Sequence, residues 1–147
     1  MVPKNHFHLI ITVALKKELP LDWLNQFRLP IYTLKALKSG ILNRHTSHDI
    51  GILIIITGVG KENSQNTANW ILKNLEPKFV INIGSAGSTT LEIGSLISPT
   101  YCHATEGPKI KLDDKIPFST YLTINHSTEI ITLDSDKSYH DTIQLQD

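Results

Sequence analysis

A continuous run of mostly apolar residues, Phe79-Val80-Ile81-Asn82-Ile83, leads straight into Gly84-Ser85-Ala86-Gly87-Ser88. An apolar run of this length, bounded by turn residues, reads as a strand buried on both faces, as in a parallel sheet. The small residues that follow suit a backbone that turns sharply or comes close to a ligand. In open α/β sheets, ligands bind outside the carboxyl ends of the strands. The stretch therefore points to an α/β fold, with a candidate site at the end of this strand; a plain strand-to-loop turn explains the same residues equally well.

The rest of the chain supplies partners for such a strand. Residues 7–15 (FHLIITVAL) are apolar and β-branched, a first buried strand. Charges then arrive abruptly at Lys16, Lys17 and Glu18, ahead of Leu19, Leu21, Trp23, Leu24 and Phe27, a pattern compatible with an amphipathic helix. Pro20 fits a first helical turn, where its missing N–H costs little. Glu18 then lies at the carboxyl end of the first strand beside a helix N-terminus, which favours a carboxylate; a solvated charge beside two lysines is the plainer reading. Residues 31–37 and 40–43 read as strand material, residues 44–49 as a polar turn and residues 50–57 (IGILIIIT) as a strong strand, suggesting a β-hairpin. His45 and His48 are spaced i,i+3, but without a Cys or carboxylate cluster beyond Asp49 no metal site is expected.

Gly58-Val59-Gly60-Lys61 follows that strand, and Ala68, Ile71, Leu72 and Leu75 mark the apolar stripe of a helix over residues 62–75, with Trp70 alongside. The glycine turn has neither the full spacing of a phosphate loop nor a complete dinucleotide fingerprint, so nucleoside triphosphate binding is disfavoured. Strand, helix and strand in succession predict a right-handed crossover and a parallel pair. Beyond Gly87 come a polar turn, a short strand at residues 95–98, a loop over 105–117, strand character at 121–124 and 129–133, and an irregular tail over 134–147. Cys102 and His103 are neighbours in sequence, which does not by itself make a nucleophile pair; packing is the expected role.

With 147 residues the chain is expected to form one domain, residues 1–147. Only Arg28 and Arg44 are arginines and the formal net charge is zero, so no basic stripe invites nucleic acid. The apolar run of residues 8–15 is too short to span a bilayer and lacks a cleavage site after it, so neither membrane nor signal peptide is expected. A single cysteine suits a reducing compartment. A cytoplasmic protein is the expectation.

Three stretches in this order resemble the nucleoside phosphorylase/nucleosidase superfamily, and most closely its methylthioadenosine/S-adenosylhomocysteine nucleosidase branch. They are Val13-Ala14-Leu15-Lys16-Lys17-Glu18-Leu19, then Gly58-Val59-Gly60-Lys61, then Asn82-Ile83-Gly84-Ser85-Ala86-Gly87 with the later Ile93-Gly94-Ser95-Leu96-Ile97, where Ser95 replaces the family's Asp. The motif-bearing part covers residues 7–100. The resemblance implies a three-layer α/β/α sandwich around a twisted mixed β-sheet, and hydrolysis of the N-glycosidic bond of a purine nucleoside in methionine salvage. It implies no cofactor and no metal, a small-molecule purine nucleoside as substrate, and a homodimer. Glu18 matches the carboxylate that positions and deprotonates the attacking water. Ala14, Leu15 and Val59 match positions on the ribose side of the pocket, and Ser85, Ala86 and Gly87 match the turn beside purine and ribose.

The chain also departs from that pattern. The family's C-terminal third supplies a Met-Glu pair that holds the ribose hydroxyls and a Ser-Asp pair whose Asp protonates the purine. No segment here resembles either, and the only methionine is Met1. Residues 130–135 resemble the strand and turn that precede the Met-Glu segment, with Asp136 where the family has a base-stacking aromatic. Asp134, Asp136 and Asp141 replace the missing acid only through an unusual geometry. The chain thus resembles the first two-thirds of a nucleosidase, compacted. Two functions follow: a nucleosidase, or a catalytically degenerate domain that binds a nucleoside or a protein partner.

Overall fold

The computed structural model describes residues 5–44, 51–88, 91–104, 108–112 and 129–132. The chain divides into two compact units, Met1–Ser85 and Ala86–Asp147. The first contains a four-stranded sheet in the order β2-β3-β1-β4, built from β1 (Asn5–Val13), β2 (Ile31–Thr33), β3 (Ile52–Ile56) and β4 (Leu75–Ile83). Every pairing in it is parallel: β1 runs beside both β3 and β4, with Val13 opposite Ile56 and Ile83, and β2 runs beside β3. The helices are α1 (Leu21–Gln26), α2 (Leu34–Lys38) and α3 (Lys61–Asn74), with single 3-10 turns at Lys16–Glu18 and Ile41–Arg44.

Side chains of successive strand residues point to opposite faces of a sheet, and β3 shows the consequence. Leu53 and Ile55 are fully buried in one apolar cluster with Ile10, Leu37 of α2, Leu42 and Ile71 of α3. Ile54 between them is fully buried in a second cluster with Val13, Leu19 and Leu24 of α1. Helices therefore cover both faces, and the first unit has the three layers expected of an α/β/α sandwich. The run Ile52–Ile56 is apolar without alternation because neither face meets water.

Several local expectations are corrected. Residues 31–43 do not form a hairpin. Only Ile31–Thr33 is a strand, and it pairs in parallel with β3. Thr33 ends it by accepting a hydrogen bond from the backbone N–H of Ala36 (3.2 Å), so the helix formers Leu34, Lys35, Ala36, Leu37 and Lys38 coil and Leu37 drops into the core. In α3 the buried residues are Thr67 and Ile71, with Trp70 partly buried beside them, whereas Ala68 and Leu72 are exposed. Thr67 lies inside because its hydroxyl donates to the carbonyl of Asn63 (2.9 Å), leaving only its methyl to pack. β3 and β4 are parallel but not neighbours, since β1 lies between them. β4 begins at Leu75, directly after α3, and is the edge strand of this sheet; Val80 (52% exposed) and Ile83 (40%) are not enclosed on both faces, because an edge strand has one sheet neighbour. Pro77 fits there, having no N–H to give to a ladder.

The second unit holds a three-stranded sheet of β5 (Tyr101–Ala104), β6 (Ile110–Lys111) and β7 (Glu129–Thr132), in the order β6-β5-β7. β6 is antiparallel to β5 and β7 parallel to it, so mixed pairing belongs to this sheet alone. Cys102 is a strand residue, partly buried and free. Residues 95–98 form no strand of their own: Ser95 turns back, with its N–H (3.1 Å) and hydroxyl (2.7 Å) both donating to the carbonyl of Glu92. The expected His45/His48 turn, the strand at 121–124, the tail over 134–147 and the aspartates Asp134, Asp136 and Asp141 lie outside the described residues. No helix among the described residues is long and apolar enough to cross a membrane.

Candidate functional site

The strand order creates a site by topology. The chain leaves β1 toward α1, which packs with the cluster around Val13 and Ile54. It leaves β3, the strand next to β1, toward α3, which packs on the opposite face. Adjacent parallel strands whose connections depart to opposite faces leave a crevice at their carboxyl ends, where ligands of open α/β sheets bind. The loops at this crevice carry Ala14 to Glu18 after β1 and Gly58 to Gly60 after β3, while Gly84 and Ser85 follow β4.

Backbone hydrogen bonds fix these loops. Thr57 N–H donates to the carbonyl of Val13 (2.8 Å) and Gly58 N–H to that of Ala14 (3.1 Å), extending the β1–β3 ladder into the turn. Gly58 has a φ of +87°, and a Cβ there would come within 3.1 Å of the Asn63 amide, which is held in place by donating to the Val59 carbonyl (2.7 Å). Glycine at this position is thus required by conformation and by space. On the other side of β1, the Thr12 hydroxyl donates to Asn82 Oδ1 (3.0 Å) across the register pair Thr12–Asn82. The sequence reading passed over this bond, although Thr12 and Asn82 each interrupt the apolar carboxyl-terminal run of their strand.

Glu18 lies in the turn after β1. It closes the 3-10 turn after β1, and Oε2 accepts the backbone N–H of Leu15 (3.0 Å), three residues back. Oε1 accepts from the end of β4: the hydroxyl of Ser85 at 2.8 Å and its N–H at 3.2 Å. Residues 67 positions apart in sequence meet because β1 and β4 are adjacent and in register to their last residues. The Glu18 carboxyl is held below its ordinary value of 4.5, first by the Ser85 hydroxyl, then by the Leu15 N–H, with smaller help from the Ser85 N–H and the charge of Lys17; slight burial opposes them. Hydrogen bonds donated to a carboxylate favour its charged form. Glu18 is therefore an anion at neutral pH, fixed in orientation by three donors and only partly covered.

Of the other expected site residues, Ala14 is partly buried and Leu15 (36% exposed) and Val59 (63%) present apolar surface around the crevice. Ser85 is exposed and touches Glu18 directly. Ala86 and Gly87 are exposed and belong to the second unit. Among the described residues no three His, Cys, Asp or Glu side chains converge as a metal set. A shallow concavity of about 380 Å³, lined by His6, Phe7, His8, Glu76, Pro77 and Lys78, lies at the amino ends of β1 and β4. It is open and remote from the strand ends where the fold gathers its polar groups.

Comparison with known proteins gives two partial matches. Over 99 residues the chain is 32% identical to the 5'-methylthioadenosine/S-adenosylhomocysteine nucleosidase of Buchnera aphidicola subsp. Baizongia pistaciae (strain Bp), covering 66% of this chain and 38% of that protein. Over 57 residues it is 40% identical to the enzyme of the same name from Hydrogenovibrio crunogenus (strain DSM 25203 / XCL-2), covering 37% of this chain and 25% of that one. The chain is similar to 5'-methylthioadenosine/S-adenosylhomocysteine nucleosidases. The matches span less than two fifths of either relative. No family model and no solved structure matches the chain.

Proposed function

We propose that the chain acts as a nucleosidase, hydrolysing the N-glycosidic bond of a purine nucleoside such as methylthioadenosine or S-adenosylhomocysteine. The observation that carries this reading is the Glu18 carboxylate, ionised and fixed at the carboxyl ends of β1 and β4. Hydrolysis breaks the bond between the anomeric carbon and the base nitrogen, whose electrons leave with the purine, while a water oxygen bonds to the carbon. Glu18 orients that water and takes its proton as the bond forms. The departing purine takes up a proton at a ring nitrogen from a second acid or from solvent. Ala14, Leu15 and Val59 supply the apolar wall on the ribose side, and Ser85, Ala86 and Gly87 the turn near the base. The same reading includes a homodimer in the cytoplasm, serving methionine salvage; the exposed Val80 and Ile83 are apolar surface that a second copy would cover.

The test is chromatography of the purified protein after incubation with methylthioadenosine and with S-adenosylhomocysteine. Release of free adenine that falls by about 10²–10⁴-fold in Glu18→Gln, the range for loss of a general base, supports the assignment. Binding of either nucleoside without release refutes hydrolysis and leaves a nucleoside-binding domain. Light scattering reads the dimer, and a stable monomer would refute that part.

A further inference from the structure

Glu18 and Ser85 form a closed polar unit whose hydrogen-bond count restricts what each can do. A carboxylate offers about two acceptor directions on each oxygen. Oε1 receives both the hydroxyl (2.8 Å) and the N–H (3.2 Å) of Ser85, and is filled. Among the described residues Oε2 receives only the Leu15 N–H (3.0 Å), which leaves it one free direction. The single hydrogen of the Ser85 hydroxyl is committed to Glu18, so this side chain has no proton to donate to a sugar or a base while the pair is intact. Charge-assisted bonds such as these are the stronger kind, and two of the three come from one residue.

We infer that Ser85 is a positioning residue, whose hydroxyl holds Glu18 so that Oε2 alone faces the water, rather than a residue that binds the nucleoside. The inference deepens the nucleosidase reading and rests on it for the identity of the water. The pairing of Ser85 with Glu18 is itself independent of any substrate. Orientation is what Ser85 contributes: displacement of a reacting group by about 1 Å can cost on the order of 100-fold in rate. The charged groups on the surrounding elements are Lys16 and Lys17 on the same turn, Asp22 in α1, and Lys61 and Glu62 at the start of α3. Among these, Lys17 is the neighbour whose charge acts on Glu18, and it does so less than Ser85 does.

The experiment compares wild type, Ser85→Ala and Ser85→Thr, with two readouts. The first is the carboxyl titration of Glu18 by NMR of protein labelled with ¹³C-glutamate, the Glu18 signal being identified by its loss in Glu18→Gln. The second is adenine release from methylthioadenosine as a function of pH. The expected result is an upward move of the Glu18 titration in Ser85→Ala, with kcat lowered about 10- to 100-fold, KM nearly constant and the acid limb of the rate profile moved up in parallel. Ser85→Thr, which keeps the hydroxyl, is expected to restore both. An unmoved titration with a raised KM overturns the inference, because that is the signature of a lost substrate contact. Wild-type protein that releases no adenine refutes the nucleosidase reading, while the titration still decides whether Ser85 holds Glu18.

Discussion

Replacing Ile71 and Leu72 by alanine, one at a time, tests the packing of α3 against the sheet. The two residues are adjacent, both large and apolar, yet Ile71 is 5% exposed and Leu72 is 71% exposed. Ile71 shares its cluster with Ile10, Leu53, Ile55 and Leu75, all buried, so its truncation removes buried methyl groups and leaves a cavity. Substitutions of this kind cost about 2–5 kcal/mol. Alanine's better helix propensity returns at most about 0.7 kcal/mol. A loss of about 3 kcal/mol changes the folding equilibrium by roughly 100-fold and, with a urea slope of about 1–3 kcal/mol/M, lowers the unfolding midpoint by about 1–3 M. Leu72→Ala loses little burial and is expected to fall within about 0.5 kcal/mol of wild type. Urea unfolding followed by tryptophan fluorescence is a suitable assay, since Trp70 packs beside the same cluster. Equal costs at the two positions, or a larger one at Leu72, would refute this orientation of α3 and the buried Thr67 that accompanies it.

Three further outcomes are expected. The folded-state titration of Glu18 lies below its ordinary value of 4.5, so its contribution to stability is complete above that pH and is lost as pH falls through the folded value. The difference in unfolding free energy between wild type and Glu18→Gln should then be constant near neutrality and shrink only in acid, as measured by denaturant titration across pH. Gly58→Ala places a Cβ at a φ of +87° and against Asn63, and should cost about 1–2 kcal/mol or shift the loop after β3. Thr33→Ala removes the hydrogen bond that starts α2 and should lower stability by about 0.5–2 kcal/mol, read from the thermal midpoint.

The sequence by itself located the three long strands of the first sheet. Residues 7–15, 50–57 and 79–83 are mostly apolar and β-branched, and β1 (Asn5–Val13), β3 (Ile52–Ile56) and β4 (Leu75–Ile83) overlap them with ends shifted by up to four residues. It also marked Glu18 and the glycine-rich ends of two strands, because polar or small residues directly after an apolar run are legible without a fold. Where the local signal was short, tertiary structure decided. Residues 31–37 are apolar enough for a strand, yet only Ile31–Thr33 is one; the Thr33 cap and the space for Leu37 in the core make Leu34–Lys38 a helix. Over residues 62–75 hydropathy marked Ala68, Ile71, Leu72 and Leu75; Ile71 and Leu75 are buried, but Ala68 and Leu72 are exposed and Thr67 is inside instead. A threonine can take that place because in a helix it satisfies its own hydroxyl on the preceding turn. The meeting of Glu18 with Ser85 was beyond the reach of sequence patterns, since it depends on β1 and β4 lying side by side in register. Periodicity records what each segment needs to bury; only the strand order decides which distant polar groups are brought within hydrogen-bonding distance.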